Sequence, residues 1–182
     1  NEKHMAGFSP MLDGFDQVAF GNLNELRDAI TDETAAILIE PIQGEGGINY
    51  AEPDYFKRLR ETADEFGLLL FMDEVQTGIG RTGKLFAHEW AELQPDVVAV
   101  AKGLGGGFPV GACLANEKAT SAMAPGTHGS PYGGNPMASA AANAVLDIVL
   151  GDGFLENVQK TGAYLRSQLE AISSKHDFLG DV

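Results

Sequence analysis

The chain has 182 residues, 44% hydrophobic and 21% charged, so it can bury a core and is not a disordered tail. Lys and Arg number 12 against 26 Asp and Glu, and the resulting net charge of −14 argues against nucleic acid or an anionic membrane surface as partner. The single cysteine, Cys113, excludes an internal disulfide and a multi-cysteine metal site. The sequence contains no apolar run near the roughly 20 residues of a membrane span and no secretory signal, so we expect a cytoplasmic protein.

Two helices and a strand are predicted in the first part of the chain. Asn22 and Glu25 have the spacing of a capping box, so a helix is expected to begin after Asn22. The short apolar run at residues 35–40 predicts a buried strand. A second helix is expected to begin at Pro53 and to end at Gly67.

Three further apolar runs predict strands at residues 68–72, 96–101 and 110–115. An alanine-rich helix is expected from Pro136 to about Leu150. The last predicted helix carries an apolar stripe, which we interpret as ordinary helix packing, at Leu155, Val158, Gly162, Leu165, Leu169 and Ile172.

The strands are apolar nearly throughout, and helical patterns separate them. This alternation is typical of a parallel sheet that is covered on both faces, so the predicted fold class is α/β. In open sheets of this kind, ligands bind beyond the carboxyl ends of the strands. The residues that follow each strand are therefore the first place to look for a functional site.

A carboxylate and an amine follow two of these strands. The second strand ends in Asp73-Glu74-Val75-Gln76, and the third ends in Lys102, which precedes a run of glycines. The ordinary explanation of such a pair is a structural ion pair. However, Lys102 lies between an apolar run and glycines, where loss of solvation favours the neutral, nucleophilic amine and a ligand can approach the backbone closely.

This combination indicates one cofactor in particular. Lysine amines form Schiff bases with carbonyl compounds, including pyridoxal phosphate, and that cofactor also needs a carboxylate at its ring nitrogen. Asp73 is the candidate carboxylate, while Val75 could pack on the ring face and Gln76 could reach the ring hydroxyl.

A nucleotide-binding interpretation competes with this one. Residues 78–83 fit the G-x-G-x-x-G pattern soon after a strand. The context is poor, because Leu85 stands where a phosphate loop has Ser or Thr. Asp73 and Glu74 would also repel an incoming pyrophosphate. Nucleotide binding therefore stays the minor alternative.

Four blocks of the sequence resemble, in the same order, those of the class III, ornithine-type aminotransferases. They are ILIEPIQGEGG (37–47), FMDEVQTGIGRTG (71–83), AKGLGGGFPVGA (101–112) and GTHGSPYGGNPMA (126–138). The resemblance covers most of the chain and implies a partial large domain of the type I aminotransferase fold, a mostly parallel sheet flanked by helices. It implies that residues 1–150 belong to the cofactor-binding large domain. Residues 151–182 would form a helix that leads toward a C-terminal small domain.

The resemblance also assigns roles to residues. Lys102 would be the catalytic residue, which binds the cofactor and moves the proton. The residues implied to contact pyridoxal phosphate are Asp73, Glu74, Val75, Gln76, Lys102 and Pro131. Glu45, in QGEGG, would be a gating glutamate at the substrate, and Ser130 would lie near the substrate and the partner subunit's cofactor.

The chain departs from the family pattern at Pro131, where threonine is usual. The resemblance implies that this threonine donates a hydrogen bond to the phosphate of the cofactor bound by the partner subunit. Proline has neither a hydroxyl nor a backbone N–H, so we predict that the loop grips the phosphate more weakly.

The implied activity is transamination between a small-molecule amino donor and a 2-oxo acid by a homodimer. N-acetylornithine and 2-oxoglutarate, a pair of arginine biosynthesis, are the expected substrates. The alternatives are a class III enzyme for ornithine, succinylornithine or 4-aminobutyrate, a semialdehyde aminomutase, and, from another class, a non-catalytic remnant or interaction domain. Family chains are roughly twice this length, so we expect a fragment that is inactive alone.

Overall fold

The structure is a computed structural model that describes residues 5–176, 178 and 179. The outer ends of the two predicted domain ranges lie outside these residues. The chain divides into two compact units, with the division between Thr34 and Ala35. Whether residues 151–182 lead to a small domain stays a prediction.

In the first unit, helix α1 spans Leu23–Ala29. The side-chain oxygen of Asn22 accepts a hydrogen bond from the backbone N–H of Glu25 at 3.2 Å, and its amide donates to the Glu25 carboxylate at 3.1 Å. The predicted helix start at Asn22 is therefore confirmed, because its side chain satisfies one of the free N–H groups of the first turn.

The strands of the second unit are β1 (Ala36–Ile39), β2 (Ile42–Gln43), β3 (Asn49–Tyr50), β4 (Leu69–Asp73), β5 (Val97–Val100) and β6 (Ala112–Ala115). Four of them form a sheet in the order β1-β4-β5-β6, in which β1, β4 and β5 are parallel and β6 is antiparallel to β5. The four predicted strands and the mostly parallel sheet are confirmed. A hairpin of β2 and β3 was not predicted, since two-residue strands carry no periodic signal.

The helices of the second unit are α2 (Pro53–Phe66), α3 (Glu117–Thr120), α4 (Pro136–Val149) and α5 (Phe154–Ser173), with short 3-10 helices at Ala87–Ala91 and Lys102–Gly105. As predicted, α2 begins at Pro53 and ends at Gly67, whose φ of 72° gives the left-handed cap that glycine favours. Within the described residues, no single helix is long and apolar enough to cross a membrane. The pair α4 and α5 passes such a test by length and composition, but it is bent by 67°.

The core lies on one face of the sheet, where α2 packs against β1 and β4. Alternate strand residues point to this face, and the buried ones are Ile37, Leu70, Met72, Val98 and Val100. The predicted cover of the opposite face is incomplete, because Leu38 there is 57% exposed.

Only the start of the apolar stripe of α5 is packed in the described structure, where Leu155 and Val158 are half-buried. Leu165 is 57% exposed and Ile172 is 48% exposed, and none of the helix's described residues is buried. The interpretation of the stripe as ordinary helix packing therefore holds only for its first residues, because α5 meets α4 and residues 80–83 only near its own start.

A buried carboxylate joins the sheet to α2. Asp96, just before β5, is 5% exposed, and its Oδ2 accepts hydrogen bonds from the backbone N–H of Leu70 at 2.8 Å and from Arg60 Nη1 at 2.7 Å. Its Oδ1 accepts from Asn116 Nδ2 at 2.7 Å. Burial acts to raise the pKa of Asp96, but these three donors outweigh it and bring the pKa below its ordinary value of 3.8.

We predict that Asp96→Ala lowers the free energy of unfolding by about 3–5 kcal/mol at pH 7, because it removes the buried carboxylate that pairs with Arg60 and leaves the Leu70 N–H and the Asn116 amide without their acceptor. The folded-state pKa is lowered, so this stabilisation is fully present above the ordinary pKa and is lost as the pH falls through the folded value. Urea unfolding should show a smaller difference between wild type and variant at pH 3 than at pH 7.

The matched control is Asp64→Ala, which removes the other carboxylate on Arg60. The side chain of Asp64 is 64% exposed, so its loss should cost less than about 1 kcal/mol. An Asp96→Ala cost no larger than that of the control, or one that does not change with pH, would contradict the assignment.

Candidate active site

Two neighbouring parallel strands place a carboxylate and an amine at one edge of the sheet. In the register of β4 and β5, Asp73 lies beside Ala99, and Lys102 follows three residues further along. Both strands therefore open at their carboxyl ends on the same edge. The two strands are neighbours, so the carboxylate and the amine that follow them in the sequence lie at the same edge of the sheet.

Lys102 lies at the mouth of a cleft. It is exposed, with φ of 41° at the start of a 3-10 turn, and its Nζ donates a 2.6 Å hydrogen bond to Oε1 of Gln76. The prediction of an apolar setting for this amine is therefore wrong in the described structure. The reason is that β5 ends at Val100, so the lysine stands beyond the buried strand rather than in it.

The cleft beside Lys102 has a volume of about 440 Å³. Its lining residues are Gln76, Gly78, Ile79, Arg81, Lys102 and Gly103. The sequence did not lead to Arg81 as a site residue, although a cation between the glycines of residues 78–83 was a signal that could have been followed. The exposed Arg81 adds a second positive charge to the cleft, which suits an anionic ligand.

Asp73 is half-buried at the end of β4. Its Oδ1 accepts a hydrogen bond from the backbone N–H of Val75 at 3.0 Å, which fixes the carboxylate at the strand end. Its Oδ2 has no hydrogen-bond partner among the described residues, so this oxygen is available to a ligand. Val75 is half-buried beside it and presents an apolar side chain to the same edge.

Glu74 differs from its neighbours, because its side chain is fully buried. Its carboxylate accepts hydrogen bonds from Thr77 Oγ1 at 3.0 Å, Ala87 N at 2.7 Å, His88 N at 2.9 Å and His88 Nδ1 at 2.7 Å. The expectation that Glu74 contacts a cofactor does not match this geometry, since both carboxylate oxygens are engaged inside the protein. Successive residues along a strand point to opposite faces, which separates Glu74 from Asp73.

The hydrogen bonds of Glu74 hold the loop that forms one wall of the cleft. All four donors lie within residues 77–88, and this loop carries Gly78, Ile79 and Arg81 of the lining. We therefore expect Glu74 to act through the position of the loop.

The glycines of this loop serve packing. Gly80 and Gly83 have φ of 84° and 91°. Gly80 closely approaches both α4 and α5, and Gly83 closely approaches α5. A Cβ on Gly80 would lie 3.0 Å from Val149 and 3.1 Å from Leu155, and one on Gly83 would lie 2.6 Å from Gln159. The loop leads into a 3-10 helix and not into the N-terminus of an α-helix, so the nucleotide-binding alternative lacks its phosphate site.

The remaining predicted residues lie outside the lining of the cleft. Glu45 is exposed in the turn between β2 and β3. Ser130 and Pro131 lie in an exposed loop, where Ser130 Oγ accepts a hydrogen bond from Gly133 N at 3.0 Å. The structure thus brings Lys102 and Gln76 together, and the roles of Glu45, Ser130 and Pro131 stay predictions.

Comparison with known proteins agrees with this fold. The aminotransferase class-III profile matches residues 4–182. The chain belongs to the class III aminotransferase family, and the resemblance described above is confirmed.

Among curated relatives, the acetylornithine aminotransferase of Brucella melitensis is 56% identical over 174 residues, which are 96% of this chain and 43% of that protein. The acetylornithine aminotransferase of Mesorhizobium japonicum is 57% identical over 181 residues, which are 99% of this chain and 45% of that protein. The chain thus spans less than half the length of these relatives.

Solved structures confirm the predicted fold class. An ornithine aminotransferase from Toxoplasma gondii, described with partial occupancy of PLP at its active site, has a TM-score of 0.89 and 35% identity. The match covers 94% of this chain and 41% of that one. An acetylornithine aminotransferase from Elizabethkingia anophelis has a TM-score of 0.86 and 38% identity, and the match covers 92% of this chain and 43% of that one.

We predict that Glu74→Ala loosens the loop and destabilises the fold. It leaves buried donors of Thr77, Ala87 and His88 unpaired, so the free energy of unfolding should fall by about 3 kcal/mol or more. Trypsin should also cleave faster after Arg81, because the wall of the cleft is no longer held. Urea unfolding and timed proteolysis measure the two effects.

Glu61→Ala, an exposed position on α2, is the control and should change stability by less than about 0.5 kcal/mol. If Glu74→Ala behaves like this control in both measurements, the loop does not depend on Glu74.

Proposed function

We propose that the protein carrying this sequence is a cytoplasmic, homodimeric, pyridoxal-phosphate-dependent aminotransferase. It transfers the amino group of N-acetylornithine to 2-oxoglutarate, a step of arginine biosynthesis. The observation that carries the proposal is the amine of Lys102, which lies in the cleft 2.6 Å from Gln76 Oε1, at the sheet edge where Asp73 ends the neighbouring strand. The choice of amino donor is supported by relatives of 56–57% identity that are named acetylornithine aminotransferase.

The groups at this edge fit pyridoxal phosphate. They comprise a primary amine on Lys102, a carboxylate on Asp73 with Oδ2 available, an amide on Gln76 and the half-buried apolar side chain of Val75. When bound, the cofactor supplies a carbonyl that an amine can attack and a ring that takes up an electron pair from the substrate carbon.

Each of these residues has a distinct task in the proposed reaction. Lys102 Nζ would hold the cofactor and, as a free amine, would carry the proton that the substrate carbon loses. Asp73 Oδ2 keeps a proton on the ring nitrogen, because a carboxylate stabilises the positive charge there. Val75 packs on the ring face, and Gln76 holds the ring hydroxyl.

Substrate recognition is assigned to Glu45 and Ser130. A homodimer is proposed because the loop that carries Ser130 and Pro131 is exposed, with Met123 57% and Tyr132 83% accessible. Exposed apolar side chains in a loop are consistent with a surface that a partner covers. In this arrangement Ser130 and Pro131 reach the partner subunit's cofactor.

The substrate assignment is tested with the complete gene product that carries this sequence. Glutamate formation from 2-oxoglutarate is measured with N-acetylornithine, ornithine, succinylornithine and 4-aminobutyrate as donors. We expect kcat/KM for N-acetylornithine to exceed that for ornithine by at least about ten-fold.

A preference for ornithine, which the similarity to the Toxoplasma gondii enzyme makes the second candidate, would replace the donor but keep the chemistry. Isomerisation of a semialdehyde without an oxo acid would indicate an aminomutase. No turnover, and no visible absorption band with pyridoxal phosphate, would indicate a non-catalytic remnant.

We predict that Lys102→Ala in the complete gene product abolishes transamination and leaves the fold intact. The lysine is exposed, and the hydrogen bond that it makes in the described structure lies within the cleft, so its loss should not unfold the sheet. Loss of the proton carrier alone should reduce kcat by about 100- to 10,000-fold. Turnover within about ten-fold of wild type would overturn the assignment.

A second prediction concerns Pro131 in the exposed loop. Pro131→Thr restores a hydroxyl, and a hydrogen bond to a charged phosphate is worth about 1.5–3 kcal/mol, or roughly 10- to 150-fold in affinity. Titration of the apo-protein with pyridoxal phosphate should therefore show binding at least several-fold tighter than wild type.

The control is Pro125→Thr, at another exposed position of the same loop, which should bind the cofactor as wild type does. Equal or weaker binding by Pro131→Thr would show that the loop does not depend on a hydroxyl at this position.

A further inference from the structure

The turn between β2 and β3 begins at Gly44, which lies against the side-chain amide of Gln76. This amide is the one that accepts the hydrogen bond from Lys102. The hairpin is held by the β2–β3 pairing and by Asn49 Nδ2, which donates to Gln43 Oε1 at 3.1 Å and to the Gly46 carbonyl at 3.0 Å. The backbone N–H of Gly44 donates to Glu40 Oε2 at 3.2 Å. The position of Gly44 is therefore fixed by bonds that do not involve the cleft.

Gly44 leaves room for one side chain in particular. A Cβ built on Gly44 would lie 2.6 Å from Nε2 of Gln76 and 2.7 Å from its Cδ and Oε1. Separations under 3.0 Å are essentially never adopted by real Cβ atoms. The terminal amide of Gln76 thus occupies the space that any larger residue at position 44 would fill.

The same amide holds the amine of the site. Gln76 Oε1 accepts the 2.6 Å hydrogen bond from Lys102 Nζ, so the surface of Gly44, the amide of Gln76 and the amine of Lys102 form a continuous series of contacts. Both Gln76 and Lys102 are exposed, so little else in the described structure restricts where they point.

We propose that Gly44 is a positioning residue for Lys102. By leaving space for the amide of Gln76, it sets the orientation of that amide, and the amide in turn sets the place of the lysine amine. The inference rests on the proposed function in one respect, namely that the amine of Lys102 holds the cofactor.

The requirement for glycine at position 44 comes from space and not from backbone conformation. Its φ lies outside the left-handed region that favours glycine. Alanine is therefore tolerated by the backbone, and the clash falls on the far end of a flexible side chain. We expect Gly44→Ala to fold, to displace the Gln76 amide and to break its hydrogen bond to Lys102.

The test uses the complete gene product without cofactor. The protein is labelled with an excess of acetic anhydride at fixed pH, and the rate at Lys102 is measured by peptide mass spectrometry relative to exposed Lys57. The hydrogen bond holds Lys102 Nζ against the amide of Gln76, and the amine must leave that contact before it can attack the reagent. Its loss in Gly44→Ala should speed labelling of Lys102 about two- to ten-fold, the range for one ordinary hydrogen bond.

Two comparisons isolate the contact. In Gly46→Ala, the new Cβ would come no closer than 3.4 Å to Gln43 and should leave the Lys102 rate at the wild-type value. Gln76→Ala should show the faster rate, and the Gly44→Ala/Gln76→Ala double variant should match Gln76→Ala. If Gly44→Ala lowers the Tm, the double variant should recover it, because the clash is with the Gln76 side chain.

An unchanged Lys102 rate in Gly44→Ala, or additive effects of the two substitutions, overturns the proposal. A Tm loss that Gln76→Ala does not relieve also overturns it. The proposed function fails separately, if wild type shows no visible band with pyridoxal phosphate, and that result would leave the labelling outcome unaffected.

Discussion

The buried carboxylate of Glu74 is the constraint on which the geometry around Lys102 depends. A carboxylate with no exposed surface is stable only if its oxygens are fully hydrogen-bonded. Glu74 meets that requirement with four hydrogen bonds whose donors all come from the loop after β4. The chain therefore turns back on itself beyond the strand, and the loop becomes one wall of the cleft.

Successive side chains of a strand point to opposite faces, so the adjacent carboxylates Asp73 and Glu74 have different roles. Glu74 lies inside and organises the loop, while Asp73 stays at the sheet edge with one oxygen held by Val75 N and the other available. Gln76, three residues after Asp73, faces Lys102, and the absence of a side chain at Gly44 leaves room for its amide. Few further residues are needed to bring Asp73 and Lys102 to the same place, because the pairing of β4 and β5 sets the separation of the two strand ends.

The local signals of the sequence predicted the elements well. The four apolar runs became the four sheet strands, and Asn22, Pro53 and Gly67 begin or end helices for the expected reasons of capping and backbone preference. The strand-end rule led to Asp73 and Lys102, because β4 and β5 are parallel neighbours. These inferences succeeded because they depend on residues close in sequence or on the topology of parallel sheets.

The failures concern contacts between distant residues. The sequence around Lys102 is apolar, yet the lysine is exposed, because burial depends on where the strand stops. The inward direction of Glu74 and the packing of Gly80 and Gly83 against α4 and α5 require partners up to about 75 residues away, as for Gly83 and Gln159. Similarly, the α5 stripe shows helical periodicity, but periodicity does not reveal whether a partner surface is present.

The central claim is that the amine of Lys102 holds pyridoxal phosphate. The most direct measurement is borohydride reduction of the complete gene product loaded with pyridoxal phosphate, which fixes the cofactor to the lysine that binds it, followed by peptide mapping. We predict that the added mass is found on the peptide that contains Lys102 and is absent after Lys102→Ala. Attachment to another lysine such as Lys84 or Lys118, or no attachment, would contradict the claim.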